Sequence, residues 1–144
     1  MALHPNTRAT ALTALVVVVD LASKAVAVRF AASRTGLITP VQNAWYSLGI
    51  IQGPQPWLVA GALITVAVTA YWYHRSADPA RTWWVGPLVL GGALANLADR
   101  AVFGAVHDFI ATPWVVFNIA DVAVLIGLAG FYRDRLVPMH REGR

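Results

Sequence analysis

The sequence contains no cysteine and is poor in charge, since only 12% of its 144 residues are Asp, Glu, Lys or Arg. The absence of cysteine excludes disulfides, thiolate nucleophiles and cysteine-ligated metal sites. The four histidines are scattered without ligand spacing, so no metal and no other cofactor is expected. Although the formal net charge is +4, the basic residues form no cluster with interleaved aromatics, which argues against a nucleic-acid partner.

Hydrophobic residues make up 58% of the sequence, and they are concentrated in long, nearly uncharged runs. Runs of about 20 apolar residues are long enough to cross a bilayer as helices. We therefore predict one all-α integral membrane domain over residues 1–144, with four transmembrane helices. The predicted spans are residues 7–30, 57–74, 83–103 and 113–132.

Between the first two predicted spans, residues 31–56 are rich in Gly, Pro and aromatic side chains. This composition breaks helices and is typical of a membrane edge, so we predict a small flap or strand pair there. Four spans place both termini on one side, and the more basic side is expected to be cytoplasmic, with the flap outside. The basic residues on the side of the termini are Arg8, Arg75, Arg81, Arg133, Arg135, Arg141 and Arg144, and those toward the flap are Lys24, Arg29, Arg34 and Arg100.

Two groups of polar residues lie inside the predicted spans, where such side chains are costly and are therefore functional candidates. Asp20 and Lys24 are spaced i, i+4 and can neutralise each other on one helix face. They form either an internal ion pair that fixes helix packing or part of a ligand site. Asn96, Asp99 and Arg100 also share one face, and Asp99 beside Arg100 is more typical of a structural ion pair.

Asp108 follows the third predicted span, and Asp121 lies about seven residues into the fourth, with Asn118 three positions before it on the same face. A short connection between antiparallel helices would bring both carboxylates to the same outer layer. Two aspartates held close share one proton, so one can activate water as a general base while the other donates a proton. This is the strategy of aspartic proteases. The alternative for either aspartate alone, and for Asp108 in particular, is a role in packing or as a helix cap, and Asn118 beside Asp121 favours the catalytic interpretation of the pair.

Four segments together resemble the signatures of the lipoprotein signal peptidase (signal peptidase II) family. They are D-L-A-S-K at 20–24, G-G-A-L-A-N-L-A-D-R at 91–100, V-H-D-F at 106–109 and F-N-I-A-D at 117–121. The resemblance implies a four-helix aspartyl endopeptidase of the bacterial inner membrane. Such enzymes remove the signal peptide from diacylglyceryl-modified prolipoproteins just before the lipidated cysteine. It therefore implies prolipoprotein substrates and contact with membrane lipids, and we expect a monomer.

The resemblance also implies roles for individual residues. It places the catalytic pair on Asp108 and Asp121. The residues that fall on site-lining or supporting positions are Asp20, Lys24, Asn96, Asp99, Arg100 and Asn118, with Asn43 as the counterpart of an asparagine in the flap.

The chain departs from the family pattern in the flap around Asn43, at Ala95 in place of a glycine, and in the 13-position connection from Asp108 to Asp121. These departures keep open a second hypothesis, a non-catalytic relative that binds a lipopeptide or an inhibitor. A third hypothesis, an ion carrier, is disfavoured because the polar groups concentrate toward one face of the membrane.

Overall fold

The computed structural model describes residues 5–30, 36–44, 55–74 and 82–136. Most of the predicted flap beyond residue 44, the connection at 75–81 and the basic tail from 137 lie outside these residues. The elements are the helices α1 (Pro5–Phe30), α2 (Gln55–His74), α3 (Val85–Phe103) and α4 (Ile119–Leu136), and the strands β1 (Ile38–Asn43), β2 (Val106–Ala111) and β3 (Val116–Phe117).

The helices occupy the regions of the predicted spans, but only α1 has the length and composition of a membrane span among the residues described. Its apolar part is Thr7–Phe30, and a shorter apolar segment in α2 covers Val59–Tyr71. Pro5 is the first residue of α1, a position where a missing N–H costs nothing. The four expected spans are therefore not confirmed, whereas four helices are present in the described part of the chain.

Close approach of α3 to its neighbours depends on small residues. A Cβ on Gly92 would overlap the carbonyl oxygen of Ala120 in α4, and one on Gly91 would overlap Val16 in α1. Small residues let helix backbones approach closely, as in helix pairs within membranes. Helix α3 ends at Gly104, whose left-handed backbone (φ 72°) allows its N–H to bond the carbonyl oxygen of Arg100. The chain then turns directly into β2.

A three-stranded antiparallel sheet in the order β1-β2-β3 lies beside the ends of α1 and α3. Val41 pairs with Asp108, and Ile110 pairs with Phe117. The expected strand pair was placed within residues 31–56, but the described strand β1 finds its partner after α3. The protein is therefore mostly helical, as predicted, with a small antiparallel sheet. The sheet is not confined to the flap, because strand pairing joins segments far apart in sequence.

Helix α4 begins at Ile119, later than the predicted start near residue 113. The intervening residues form a turn in which the backbone N–H of Thr112 donates to the carbonyl oxygen of Val115 (2.9 Å). The Thr112 hydroxyl bonds both the carbonyl oxygen and the N–H of Val115, which closes the turn on both sides. Asp121 is consequently the third residue of α4 and not about the seventh.

Candidate active site

Asp121 is held at the start of α4 by a reciprocal pair of hydrogen bonds with Asn118. The Oδ1 of Asn118 accepts the backbone N–H of Asp121 (2.9 Å), and the Oδ2 of Asp121 accepts the backbone N–H of Asn118 (3.2 Å). This arrangement is a capping box, in which the N-cap and the third helical residue satisfy each other's N–H groups. The first turn of α4 therefore fixes where the Asp121 carboxylate lies, at the positive end of the helix dipole.

Asp108 lies within β2, and it is buried, with 3% of its surface exposed. Each of its oxygens accepts a side-chain amide N–H. Oδ1 accepts from Nδ2 of Asn118 (2.6 Å), and Oδ2 accepts from Nδ2 of Asn43 (2.7 Å). Asn43 is the last residue of β1, so the pairing of β1 with β2 delivers this donor to Asp108.

Asn118 is the link between the two aspartates, and it is completely buried. Its Nδ2 donates to Oδ1 of Asp108 and also to Oδ1 of Asn96 (3.1 Å), while its Oδ1 accepts the backbone N–H of Asp121. Asn96 in turn donates from Nδ2 to Oδ1 of Asp121 (2.9 Å). An amide is required at position 118 because a carboxylate there would have no N–H to donate.

Burial raises the pKa of Asp108 to about 6, well above its ordinary value of 3.8. The hydrogen bonds from Asn43 and Asn118 lower the pKa because they stabilise the ionised form, while the negative charge of Asp121 raises it. The two carboxylates are thus close enough to interact electrically. Burial and like charge together allow Asp108 to retain a proton into the mildly acidic range, as a shared-proton pair requires.

Lys24 lies at the centre of a supporting layer of charges. Its Nζ is 2.7 Å from Oδ2 of Asp20 and 3.2 Å from Oδ2 of Asp99, and it donates to Oδ1 of Asn96 (2.9 Å). The predicted ion pair between Asp20 and Lys24 is therefore present. One buried ammonium serves two buried carboxylates and also orients the amide that holds Asp121.

Asp20 also contacts the last helix directly. Its Oδ1 accepts the backbone N–H of Ala120 (2.7 Å), the residue immediately before Asp121. Because the early N–H groups of a helix have no partner within the helix, this bond acts as a second cap supplied by α1. Asp20 thus fixes helix packing, and direct contact with a ligand stays a prediction.

Asp99 and Arg100 are both buried, but they contact different parts of the site. The structure gives Asp99 the partners Lys24 and His107, on α1 and β2. Arg100, the residue expected to pair with Asp99, donates from Nη1 to the backbone oxygen of Asn96 (3.3 Å). All nine predicted site residues therefore belong to one connected group at the sheet end of the bundle.

Two polar residues of this region, His107 and Gln42, have no role in the sequence-based prediction of the site. The backbone N–H of His107 donates to Asp99, its ring contacts the same carboxylate, and Gln42 lies opposite on β1. A sequence signal was available in Gly104, which marks a helix end before a short β-type run. Among the described residues, no group of three or more His, Cys, Asp or Glu is arranged to hold a metal ion.

A family model described as signal peptidase (SPase) II matches residues 12–136 of this chain. The chain belongs to the signal peptidase II family. This confirms the family resemblance that the sequence segments carry.

Relatives from this signal peptidase II family align over most of the chain. The lipoprotein signal peptidase of Methylorubrum extorquens is 40% identical over 110 residues, which cover 70% of this chain and 64% of that protein. The match therefore spans just under two thirds of that relative. The lipoprotein signal peptidase of Thermodesulfovibrio yellowstonii is 31% identical over 133 residues, covering 85% of this chain and 90% of the relative.

A solved structure described as a bacterial membrane enzyme shares the fold of this signal peptidase II family member. The TM-score is 0.75, and the alignment covers 96% of this chain and 95% of the other, at 22% sequence identity. A second structure with the same description gives a TM-score of 0.72 at 23% identity, over 90% of this chain and 93% of the other. The arrangement of helices and sheet is thus shared.

Proposed function

We propose that this protein is a membrane aspartyl endopeptidase that cleaves the signal peptide from diacylglyceryl-modified prolipoproteins just before the lipidated cysteine. The proposal depends on one observation: Asp108 and Asp121 are joined through Asn118 in a chain of the signal peptidase II family. The relatives named lipoprotein signal peptidase support the substrate class.

In the proposed reaction, Asp108 and Asp121 share one proton and activate a water molecule between them. The ionised carboxylate accepts a proton from water as the water oxygen attacks the carbonyl carbon of the scissile peptide. The protonated carboxyl group donates its proton to the carbonyl oxygen. As the C–N bond of the tetrahedral intermediate breaks, the departing nitrogen takes a proton from one carboxyl group, and a hydroxyl group of the intermediate returns its proton to the other carboxylate, which restores the singly protonated pair. The two groups titrate as a pair, so the role of each follows the position of the shared proton.

The amides around the dyad support this chemistry by holding both carboxylates in place. The side-chain amides of Asn43, Asn96 and Asn118 donate to three of the four carboxylate oxygens, and the backbone N–H of Asn118 donates to the fourth. Preorganised donors of this kind cost no rearrangement during the reaction. We assign Asp20, Lys24 and Asp99 to the support of these amides and of α4. We assign Arg100 to contact with the substrate backbone or with lipid.

We place the site at the extracytoplasmic edge of a four-span bundle in the bacterial inner membrane, with both termini in the cytoplasm. The apolar length of α1 and the large apolar side chains that stay exposed on the helices support contact with a membrane. Val18 (62% exposed), Val26 (56%) and Ile64 (63%) are examples. Membrane lipids would cover these side chains, and we expect a monomer.

The test is cleavage of a diacylglyceryl-modified prolipoprotein by purified protein and by Asp108→Asn and Asp121→Asn variants. Each variant is expected to lose at least about 10³-fold in kcat, because the members of a catalytic unit fail together. Asp134→Asn, at an aspartate without an implied role, serves as the matched control and is expected to keep activity. Undiminished cleavage by both variants would refute the proposal. Wild-type protein that binds the substrate and releases no product would favour the non-catalytic hypothesis.

A further inference from the structure

His107 places two N–H groups on one carboxylate. Its backbone N–H donates to Oδ2 of Asp99 (2.7 Å), and its ring Nδ1 lies 3.2 Å from Oδ1 of the same residue. Both oxygens of Asp99, near the end of α3, thus contact nitrogen atoms of a single residue near the start of β2. The side chain of His107 is 13% exposed, and that of Asp99 is 3% exposed, so solvent screens this contact little.

The surroundings of the ring select one tautomer. A carboxylate only accepts, so the ring Nδ1 facing Asp99 carries the hydrogen. On the other side, Nε2 lies 3.4 Å from Nε2 of Gln42, an amide nitrogen that only donates. The neutral ring protonated at Nδ1 satisfies both neighbours. The charged groups facing the ring are Asp99 on α3 and, behind that carboxylate, Lys24 on α1.

The ring also packs against the end of α3. Phe103 meets His107 edge-on, with the ring centroids 4.9 Å apart and the planes at 87°. Edge-to-face contacts of this type are favourable and directional. His107 is therefore fixed by Asp99 and Phe103 on α3 and faces Gln42 across the strand pair.

We propose that His107 is a positioning residue for Asp108. Neighbouring side chains on a strand point to opposite faces, so the orientation of His107 determines where the next residue points. The ring and the backbone of His107 both bond Asp99, and this holds β2 in place relative to α3. Asp108 therefore stays within hydrogen-bond distance of Asn118 and Asn43. This inference rests on the proposed function, because positioning is defined by the reaction of the dyad.

Steady-state cleavage of a prolipoprotein by His107 variants tests the inference. In His107→Leu, the backbone bond to Asp99 is kept and the ring bond is lost. We expect kcat to fall roughly ten- to hundredfold, because a small displacement of a reacting group has an effect of that size. KM is expected to stay within about twofold, because His107 does not touch the substrate in the proposed arrangement.

Two further variants separate positioning from a general effect on folding. His107→Asn carries an amide N–H near the place of Nδ1 and is expected to restore kcat to within about threefold of wild type. His107→Gln carries its N–H farther out, near Nε2, and is expected to resemble His107→Leu. Thr39→Val, at an exposed hydroxyl on β1 that donates to the carbonyl oxygen of Gly36 (2.9 Å), is the matched control and should leave kcat unchanged.

Nitrogen-15 NMR of histidine-labelled protein gives a readout without catalysis. The signal of His107 is identified by its absence from the His107→Asn spectrum, and it should show a hydrogen on Nδ1 and none on Nε2. The opposite tautomer would overturn the inference, even if the variants fail to fold. If wild-type protein cleaves the prolipoprotein and His107→Leu cleaves it equally fast, this inference is overturned and the proposed function is not. A wild-type protein that does not cut overturns the proposed function, and this inference with it.

Discussion

The two ends of the α3–α4 pair are held together in opposite ways. At the polar end, side-chain hydrogen bonds join Asn96 on α3 to Asn118 and Asp121 around the start of α4. At the other end, which we call the glycine end, Gly127 of α4 packs directly against Val89 of α3. A Cβ on Gly127 would overlap the side chain of Val89. The same two helices thus pass from a polar, directional contact to an apolar close packing within a few turns.

The difference shows how the fold divides positional control between the two ends. Hydrogen bonds constrain direction as well as distance, so the polar end sets where the carboxylate of Asp121 points. Van der Waals packing has little directionality, so the glycine end sets only how closely the helices approach. Changes at the polar end should therefore alter catalysis and stability together. Changes at the glycine end should alter stability alone.

The largest expected effect comes from removing the shared cation of the polar end. Lys24→Met leaves Asp20 and Asp99 buried without their common partner. Breaking a buried pair in this way costs about 3–5 kcal/mol in the free energy of unfolding. We expect a large drop in the thermal unfolding midpoint in lipid or detergent, together with loss of cleavage.

The exposed Arg8, on the same helix, provides the matched control for this change. Arg8→Met should change the free energy of unfolding by less than about 0.5 kcal/mol. Equal stability of the two variants would show that the charge layer around Lys24 does not hold the polar end together.

A smaller effect is expected from adding one methyl group at either end. Gly127→Ala meets Val89 and Gly92→Ala meets the carbonyl oxygen of Ala120, and overpacking of this kind costs about 1–3 kcal/mol. Gly92→Ala should also lower kcat, because Ala120 precedes Asp121 and is bonded to Asp20. Gly127→Ala should keep kcat among the folded molecules. The comparison between the ends fails if both variants lose kcat equally.

The smallest change is a shift in pH dependence at the edge of the polar end. Asn43→Ala removes a donor that stabilises the ionised form of Asp108 and thereby lowers its pKa. The pKa of Asp108 should therefore rise above about 6, and the alkaline limb of kcat/KM should move to higher pH.

The profile of Asn43→Ala is measured against wild type and against Thr39→Val, on the same strand. The Thr39→Val profile should superimpose on that of wild type, since Thr39 bonds Gly36 and not the dyad. A shift of the Asn43→Ala profile to lower pH would mean that the Asn43 bond does not control this carboxyl group.

Much of the polar end follows from local spacing in the sequence. The i, i+4 positions of Asp20 and Lys24 predict their ion pair, and the structure confirms it. Asn118 and Asp121 have the spacing of a capping box, so the sequence also contains a signal that predicts where α4 begins. The prediction of a helix from about residue 113 overlooked that signal because the apolar run begins earlier.

The sheet and its consequences were not accessible in the same way. Strand β1 pairs with β2 across more than 60 positions, and nothing local in either strand specifies that partner. The contact of His107 with Asp99 depends on the same pairing and on the turn at Gly104. Local spacing therefore predicts which residues matter, whereas long-range pairing determines how they meet.

The bond from the N–H of Ala120 to Asp20 joins residues 100 positions apart, and the bond from Lys24 to Asn96 joins residues 72 apart. Closing loops of this length is slow compared with forming single helices, because the entropy of the intervening chain is lost before the contact is gained. During synthesis, Asp20 can therefore meet Ala120 only after the start of α4 has been made. The proposed pair of Asp108 and Asp121 would therefore take its final position only after α1 and α4 have met.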